Sequence, residues 1–212
     1  MRDVSTTQVA SKTSPHPERL RLFEFASEQA GYFTAEQARA HGYSWALLSH
    51  HAKTGRFVRI RRGLYRFREY PTSPDEDVVA AWLAVGKEPA VISHESALEL
   101  LGLSDVIPDA VHLTVPRSRR HSPQIPGVKT HTTTRTVQRS ETVIRHGLRL
   151  TSASRAILDA AESGTAPEQI EMAVAQAVDR GPVTAEALEK RARERGRRVA
   201  TLIHSALSKA SA

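Results

Sequence analysis

The sequence predicts an α+β protein in which an N-terminal winged helix-turn-helix is followed by a mixed α/β domain with C-terminal helices. Three observations support this prediction: closely spaced helical segments separated by glycines, a basic hairpin directly after them, and alternating strand and helix patterns in the rest of the chain. A length of 212 residues suits two small domains. We expect a flexible tail over residues 1–16, the winged domain over residues 17–70 and the second domain over residues 75–212.

The first two helices are predicted from their start and stop signals. Pro17 is suited to open a helix, and the apolar residues after it recur near helical spacing until Gly31 ends the segment. Thr34 and Gln37 have the spacing of a capping box, in which the threonine hydroxyl and the glutamine side chain each satisfy a free backbone amide. This box predicts a short second helix that Gly42 closes in the left-handed conformation.

A third helix and a hairpin are predicted next. Ser44 is a suitable N-cap for a helix over residues 45–54. Residues 57–61 and 64–67 are two β-rich runs that flank Gly63, so they predict a hairpin. Two helices joined by a tight glycine turn and followed by a hairpin are the order of a winged helix-turn-helix.

The positive charge of the protein is concentrated in this domain. The chain carries a net charge of +7 at a sequence pI of about 10.1. Residues 34–68 contain eight lysines and arginines and a single acidic residue, Glu36, so their excess equals that of the whole protein. A charge focused in this way favours a polyanionic partner, and in this fold class it indicates duplex DNA.

The fold assigns roles to the candidate DNA-binding residues. The third helix is the recognition helix, with Leu47, Leu48 and Ala52 toward the core and its polar residues toward the major groove, and the hairpin is the wing that contacts phosphates or the minor groove. The candidates are Thr34, Ser44, Trp45, Ser49, His50, Lys53, Arg56, Arg59, Arg61, Arg62 and Arg66. The alternative is a basic hairpin that is only a solvated surface.

The second domain is predicted to mix helices and strands. A helix follows the acidic residues 75–77 and ends at Gly86, with Trp82 as a core anchor, and Ser93 is expected to cap the next helix. Strands are predicted over residues 111–115, 128–134 and 142–150, the last folded into a hairpin at residues 146–147, and helices over residues 152–162, 168–180 and 185–194.

Two further groups of arginines are candidates for contacts with an anionic partner. Arg117, Arg119 and Arg120 lie on a predicted loop, and a second phosphate contact or an acidic-partner site is as plausible there as a solvated surface. The arginine-rich residues 191–198 are compatible with contacts to flanking DNA or with a solvated helix face.

The sequence contains no recognisable catalytic motif. It has no cysteine, no glycine-rich phosphate loop, no nucleophile elbow and no His-Glu metal motif with helical spacing. We therefore expect no enzyme activity, no cofactor and no metal. The sequence leaves open whether His94, His112, His131 and His146 converge in space. The alternatives are a nucleic-acid-processing enzyme delivered by the winged domain and an RNA-binding module.

Motifs along the chain carry a resemblance to one family. They are residues 31–38 (GYFTAEQA), 42–44 (GYS), 55–57 (GRF) and 61–65 (RRGLY), then 91–98 (VISHESAL), 101–103 (LGL), 111–116 (VHLTVP) and 150–159 (LTSASRAILD). Taken in this order, they resemble AbiEi-type antitoxins of type IV toxin–antitoxin systems. Some longer relatives carry a nuclease-like domain after the region that resembles residues 150–210, and we expect none here.

The resemblance implies a function and partners. It implies a repressor that binds repeats in its own promoter through the winged domain, and a second, antitoxin-like domain that counteracts a nucleotidyltransferase-like toxin. Whether that domain touches the toxin directly stays open. The sequence is compatible with a monomer in solution and several copies on DNA. No run of 18 apolar residues and no signal peptide occur, so we expect a cytoplasmic protein without a membrane partner.

Overall fold

The computed structural model describes residues 18–86, 88, 90–120 and 124–210. The tail expected over residues 1–16 and the helix start expected at Pro17 lie outside the described residues. The chain divides into two compact units, here called the N-terminal and the C-terminal unit. The boundary along the sequence lies between Ser73 and Pro74. Helices and strands occur in both units, as the predicted fold class requires. Every helix among the described residues is too short or too polar to cross a bilayer.

From residue 18 onward, the N-terminal unit has three helices around a small antiparallel sheet of order β1-β3-β2. Its elements are α1 (Arg19–Ser27), β1 (Tyr32–Thr34), α2 (Ala35–Ala40), α3 (Trp45–Lys53), β2 (Phe57–Arg61) and β3 (Leu64–Phe67). We call α3 the recognition helix and the β2–β3 hairpin the wing. The sequence did not predict β1, whose three residues pair with β3 in the register Phe33 opposite Tyr65.

The predicted helix caps of this unit are present. The Thr34 hydroxyl accepts a hydrogen bond from the Gln37 amide at 3.1 Å, and the Gln37 side chain accepts from the Thr34 amide at 2.7 Å, which completes the capping box before α2. The Ser44 hydroxyl accepts from the Leu47 amide at 3.2 Å and caps α3. Gly42, at φ +84°, occupies the left-handed conformation that the sharp turn between α2 and α3 needs.

Packed aromatic rings fix the recognition helix against the sheet. Phe33 meets Phe57 edge to face, with ring centroids 5.0 Å apart, and Phe57 meets Phe67 at the same distance. Leu22 of α1 and Leu48 of α3 are buried in the same cluster. Because Leu48 anchors the inner side of α3, the residues on its opposite side face away from the core.

The C-terminal unit has a five-stranded mixed sheet and a set of helices. Its elements are α4 (Glu76–Val85), β4 (Val91–Ile92), α5 (His94–Leu101), β5 (Val111–Pro116), β6 (Val128–Thr133), β7 (Thr142–Arg145), β8 (Leu148–Thr151), α6 (Ala153–Ser163), α7 (Pro167–Asp179), α8 (Ala185–Arg193) and α9 (Arg197–Ala210). The predicted strands and helices occur within two residues of their expected bounds. The two-residue β4 and the helix α9 were not predicted.

The short strand β4 is the centre of the sheet, whose order is β6-β5-β4-β8-β7. It pairs antiparallel with β5 and parallel with β8. The hairpin between β7 and β8 turns at His146 and Gly147, as predicted, and both residues have positive φ angles, of +50° and +75°. Such angles fit a tight two-residue hairpin turn.

Two predictions about single residues in this unit had different outcomes. Trp82 is 3% exposed and donates its indole hydrogen to the Ala90 carbonyl at 2.8 Å, so it is the core anchor that was expected. Helix α5 does begin directly after Ser93, but the Ser93 hydroxyl does not cap it. That hydroxyl instead accepts from Thr114 at 2.8 Å and contacts Nδ1 of His94 at 2.9 Å.

A buried ion-pair network uses several C-terminal arginines. Arg155 on α6 donates to Asp159 at 2.7 Å and to Glu141 at 3.3 Å. Arg191 donates to Glu141 at 3.1 Å, and Arg195 donates to Asp159 at 2.9 Å. The suggested contact of residues 191–198 with flanking DNA is therefore corrected for Arg191 and Arg195. Their guanidinium groups instead bind Glu141, just before β7, and Asp159 of α6.

Candidate nucleic-acid interface

The recognition helix and the wing enclose a concave groove of about 940 Å³. It is lined by Trp45, Ser49, Ala52, Lys53, Arg59, Arg62, Gly63 and Tyr65. Five of these residues were predicted to bind DNA from the sequence. Trp45, Ser49 and Lys53 are spaced four residues apart on α3, so they share one face of the helix, and the wing supplies Arg59 and Arg62. The lining contains no acidic side chain, so the groove is a cationic surface.

The N-terminal end of this face carries an exposed aromatic ring and one more cation, Arg39. Trp45 is 59% exposed at the first turn of α3. The guanidinium carbon of Arg39, on α2, lies 5.5 Å from the centroid of the Trp45 ring, a cation–π contact. Sequence reasoning counted Arg39 in the basic segment and did not name it as a site residue. Its place beside Trp45 depends on the crossing of α2 and α3, which residue order does not reveal.

A β-bulge distributes the arginines of the wing. Arg59 lies opposite Tyr65 and Arg61 lies opposite Leu64, so one extra residue, Ile60, is inserted in β2. Arg59 and Arg62 are exposed and line the groove, whereas Arg61 is half-buried and is not part of that lining.

The structure corrects the assignment of Arg66 to the DNA surface. Arg66 is only 9% exposed, and its guanidinium donates to the carbonyl oxygens of Tyr70 and Pro71, both at 2.9 Å. Its guanidinium carbon also lies 5.7 Å from the centroid of the Tyr32 ring. The Arg66 side chain points into the unit, where its guanidinium binds the backbone that follows β3 instead of facing solvent.

The other predicted residues surround the groove without lining it. The hydroxyls of Thr34 and Ser44 have the capping roles described above, and Ser44 is exposed at the start of α3. His50 and Arg56 are exposed, on α3 and just before β2 respectively. Together with Arg61, these residues stay predicted DNA contacts at the edge of the groove.

The basic loop of the C-terminal unit, Arg117, Arg119 and Arg120, is exposed. Arg117–Arg119 form one 3₁₀ turn directly after β5. Arg119 and Arg120 line a cavity of about 510 Å³ together with Lys129 of β6. Within the described part of the chain none of the three loop arginines forms an ion pair. The loop stays a predicted contact for an anionic partner.

Three of the four histidines that the sequence left open do converge. The imidazoles of His94, His112 and His131 lie together in the C-terminal unit, and one nitrogen from each lies within 4.8 Å of the others. His146 lies elsewhere, with its Nδ1 3.1 Å from a carboxylate oxygen of Asp75.

The comparisons with known proteins agree with the fold and bear on the first unit. Residues 20–68 match the family model described as "Transcriptional regulator, AbiEi antitoxin", which confirms the family resemblance over this stretch. The RV2827C protein from Mycobacterium tuberculosis has a similar crystal structure, with a TM-score of 0.59 at 16% sequence identity over 88% of this chain and 75% of that chain. At that identity the likeness shows the fold alone. A search of curated proteins found no match.

Proposed function

We propose that the chain is a transcriptional repressor that binds double-stranded DNA through its N-terminal unit, the part that matches regulators of the AbiEi antitoxin family. The observation that carries the proposal is the groove in which Trp45, Ser49 and Lys53 of the recognition helix face Arg59 and Arg62 of the wing. A helix face of short polar residues bordered by arginines has the composition that duplex recognition needs, since phosphate contacts give affinity and base-edge contacts give specificity.

In the proposed complex, the recognition helix enters the major groove and the wing lies along the adjacent backbone. Ser49 and His50 are short enough to approach base edges closely and carry donors and acceptors. Lys53, Arg59 and Arg62 neutralise phosphates, with Arg62 beside the turn of the wing, from where it reaches the minor groove. Arg39 holds the Trp45 ring at the N-terminal end of the helix.

The antitoxin role rests on the family match and not on a geometric feature. We infer that the protein represses its own operon by binding promoter repeats and that the C-terminal unit counteracts a nucleotidyltransferase-like toxin. The family model matches residues 20–68, which lie in the N-terminal unit. Both the toxin partner and its inhibition by the C-terminal unit are therefore part of the proposal. We also infer that the protein acts as a regulator and not as an enzyme.

Single-stranded RNA is the weaker alternative for this surface. Sequence-tolerant binding of single strands uses exposed aromatic rings on which successive bases stack. The groove offers one such ring, Trp45, because Tyr65 is 6% exposed. Duplex DNA therefore fits the groove better than a stacked single strand does.

The test is a fluorescence-anisotropy titration of the full chain with the duplex upstream of its own gene. A scrambled duplex and an RNA of matched sequence serve as competitors, and each titration is run at two salt concentrations. We expect tighter binding to the upstream duplex and weaker binding to every duplex as salt rises. Equal affinity for all three nucleic acids, or preference for the RNA, would overturn the proposal.

A further inference from the structure

The C-terminal unit gathers three imidazoles from separate elements of the chain. His94 opens α5, while His112 and His131 lie on the neighbouring parallel strands β5 and β6. Ring centroids are 3.5 Å apart for His94 and His131, 5.1 Å for His112 and His131, and 5.7 Å for His94 and His112. These three residues, here called the histidine cluster, each bring a nitrogen within 4.8 Å of the other two.

The cluster is buried and incompletely hydrogen-bonded. His112 is 1% exposed, and neither of its ring nitrogens has a hydrogen-bond partner among the described residues. Nε2 of His131 is likewise buried without a partner. Buried polar atoms in folded proteins are nearly always satisfied, so these unpaired nitrogens need an explanation. A bound metal ion would satisfy one nitrogen of His112 together with Nε2 of His131.

Burial also affects the ionisation of the cluster. Burial, with smaller contributions from the other imidazoles, lowers the pKa of His94 to about 2 and that of His131 to about 4. Burial also lowers the pKa of His112, even though the nearby Glu95 acts in the opposite direction. Burial thus disfavours the charged form of each ring.

The backbone at His94 is strained in the way that functional sites often are. His94 has a φ angle of +54°, in the left-handed region that residues other than glycine rarely adopt. This conformation occurs at the first residue of α5, directly after β4, where the Ser93 amide is bonded to the His112 carbonyl at 3.0 Å. The strained turn thereby brings the His94 ring to the two strand histidines.

Polar groups around the cluster are placed to orient the rings. Nδ1 of His94 lies 2.9 Å from the Ser93 hydroxyl, which leaves Nε2 for a metal. Nε2 of His112 lies 4.0 Å from carboxylate oxygens of both Glu95 and Asp109. Binding through Nδ1 would leave the Nε2 hydrogen of His112 on the side of these carboxylates, and a hydrogen bond to either one would raise the basicity of the bound ring.

The geometry points to a metal site: we propose that the histidine cluster binds one divalent transition-metal ion of the zinc class. Imidazole nitrogens suit zinc, whereas magnesium and calcium prefer oxygen ligands. Tetrahedral coordination at about 2.0–2.1 Å requires the three nitrogens to lie roughly 3.4 Å from one another. The rings of His94 and His131 are stacked with an interplanar angle of 16°, so side-chain rotation must turn them out of this parallel arrangement when the ion binds. His94 and His131 also line a cavity of about 410 Å³, so the fourth position is open to water or to a ligand.

The proposal is tested on the full chain, purified without a histidine tag and treated with a chelator. Zn²⁺ is titrated by isothermal calorimetry, with Mg²⁺ as the control ion, and Co²⁺ is added separately to record its absorption spectrum. We expect one Zn²⁺ per chain, no heat with Mg²⁺, and the visible bands of tetrahedral Co²⁺. Absence of Zn²⁺ binding, or octahedral Co²⁺ that behaves like the free ion, would overturn the proposal.

Variants distinguish this site from other histidines. His131→Gln, at the half-buried member, should weaken Zn²⁺ binding by about 100-fold or more, since changes to mere supporting groups already cost 10–100-fold. His146→Gln and His204→Gln are matched controls, because both rings are exposed and pair with carboxylates outside the cluster. Circular dichroism without metal verifies that each variant is folded. Equal loss in the controls, or none in His131→Gln, would refute the assignment.

Discussion

The arginines of the wing give the sharpest prediction about DNA binding. The double variant Arg59→Ala/Arg62→Ala removes two exposed charges that line the groove and leaves the buried residues of the unit intact. Each phosphate contact contributes about 0.9 to the slope of log affinity against log salt. If both arginines contact phosphates, the slope becomes shallower by about 1.8.

This slope converts into a measurable difference in affinity. Between 50 and 200 mM salt, a fourfold change, the wild-type protein should lose about 12-fold more affinity than the double variant does. Anisotropy titrations at several salt concentrations, with the upstream and the scrambled duplex, measure this directly. Both duplexes should show the same change in slope, because phosphates carry no sequence information.

A matched control distinguishes the effect of the wing arginines on the salt slope from the effect of the protein's total charge. Arg139→Ala/Arg145→Ala removes two exposed arginines from the C-terminal unit, so the total charge changes by the same amount. This variant should keep the wild-type slope. An unchanged slope in the wing variant, or an equal change in the control, would refute the role assigned to the wing.

Other substitutions test the remaining assignments. Ser49→Ala and His50→Ala should alter the ranking of related operator sequences in competition titrations, with the salt slope unchanged, because they face base edges in the proposed complex. Arg66→Ala should lower the free energy of unfolding by about 2–3 kcal/mol in urea titrations, since two carbonyl oxygens lose a charged donor. Glu141→Gln should cost about 1–3 kcal/mol, because Arg155 and Arg191 lose a charged acceptor while Arg155 keeps its pair with Asp159. Although burial alone would raise it, the pKa of Glu141 is held below its ordinary value by the Gln138 amide and the nearby arginines. Its contribution is therefore fully present above the unfolded pKa of 4.5 and is lost as the pH falls through the lower folded pKa, so urea titrations should show the wild-type advantage shrinking as the pH falls below 4.5. A wild-type advantage that does not shrink as the pH falls below 4.5, or an Arg66→Ala protein with an unchanged free energy of unfolding, would contradict these predictions.

Local signals in the sequence located most of the helices and strands. The capping box at Thr34, the serine cap at Ser44 and the hairpin turn at Gly63 act over four or five residues, so they are visible without knowledge of the fold. The strands β1 and β4 were missed because they contain three and two residues, and only their partners make them strands. Helix α9 was missed because the arginines before it obscured its apolar face.

The candidate site was predicted in part. Trp45, Ser49, Lys53, Arg59 and Arg62 meet in the groove because helical periodicity and the hairpin already determine which way they point. Sequence reasoning also placed Arg66 on this surface, although the pairing of β3 with both β1 and β2 turns its side chain inward.

The sequence by itself determined the order of elements, the basic character of the first unit and the residues that begin and end its helices, because these depend on contacts between near neighbours in the chain. Tertiary structure alone decided which charges are exposed and which residues distant in sequence meet. It buried Arg66, paired Arg155 with Glu141, and gathered the histidine cluster from residues 94–131. The physical reason is that burial and long-range contact depend on how elements pack, and packing is a property of the assembled core.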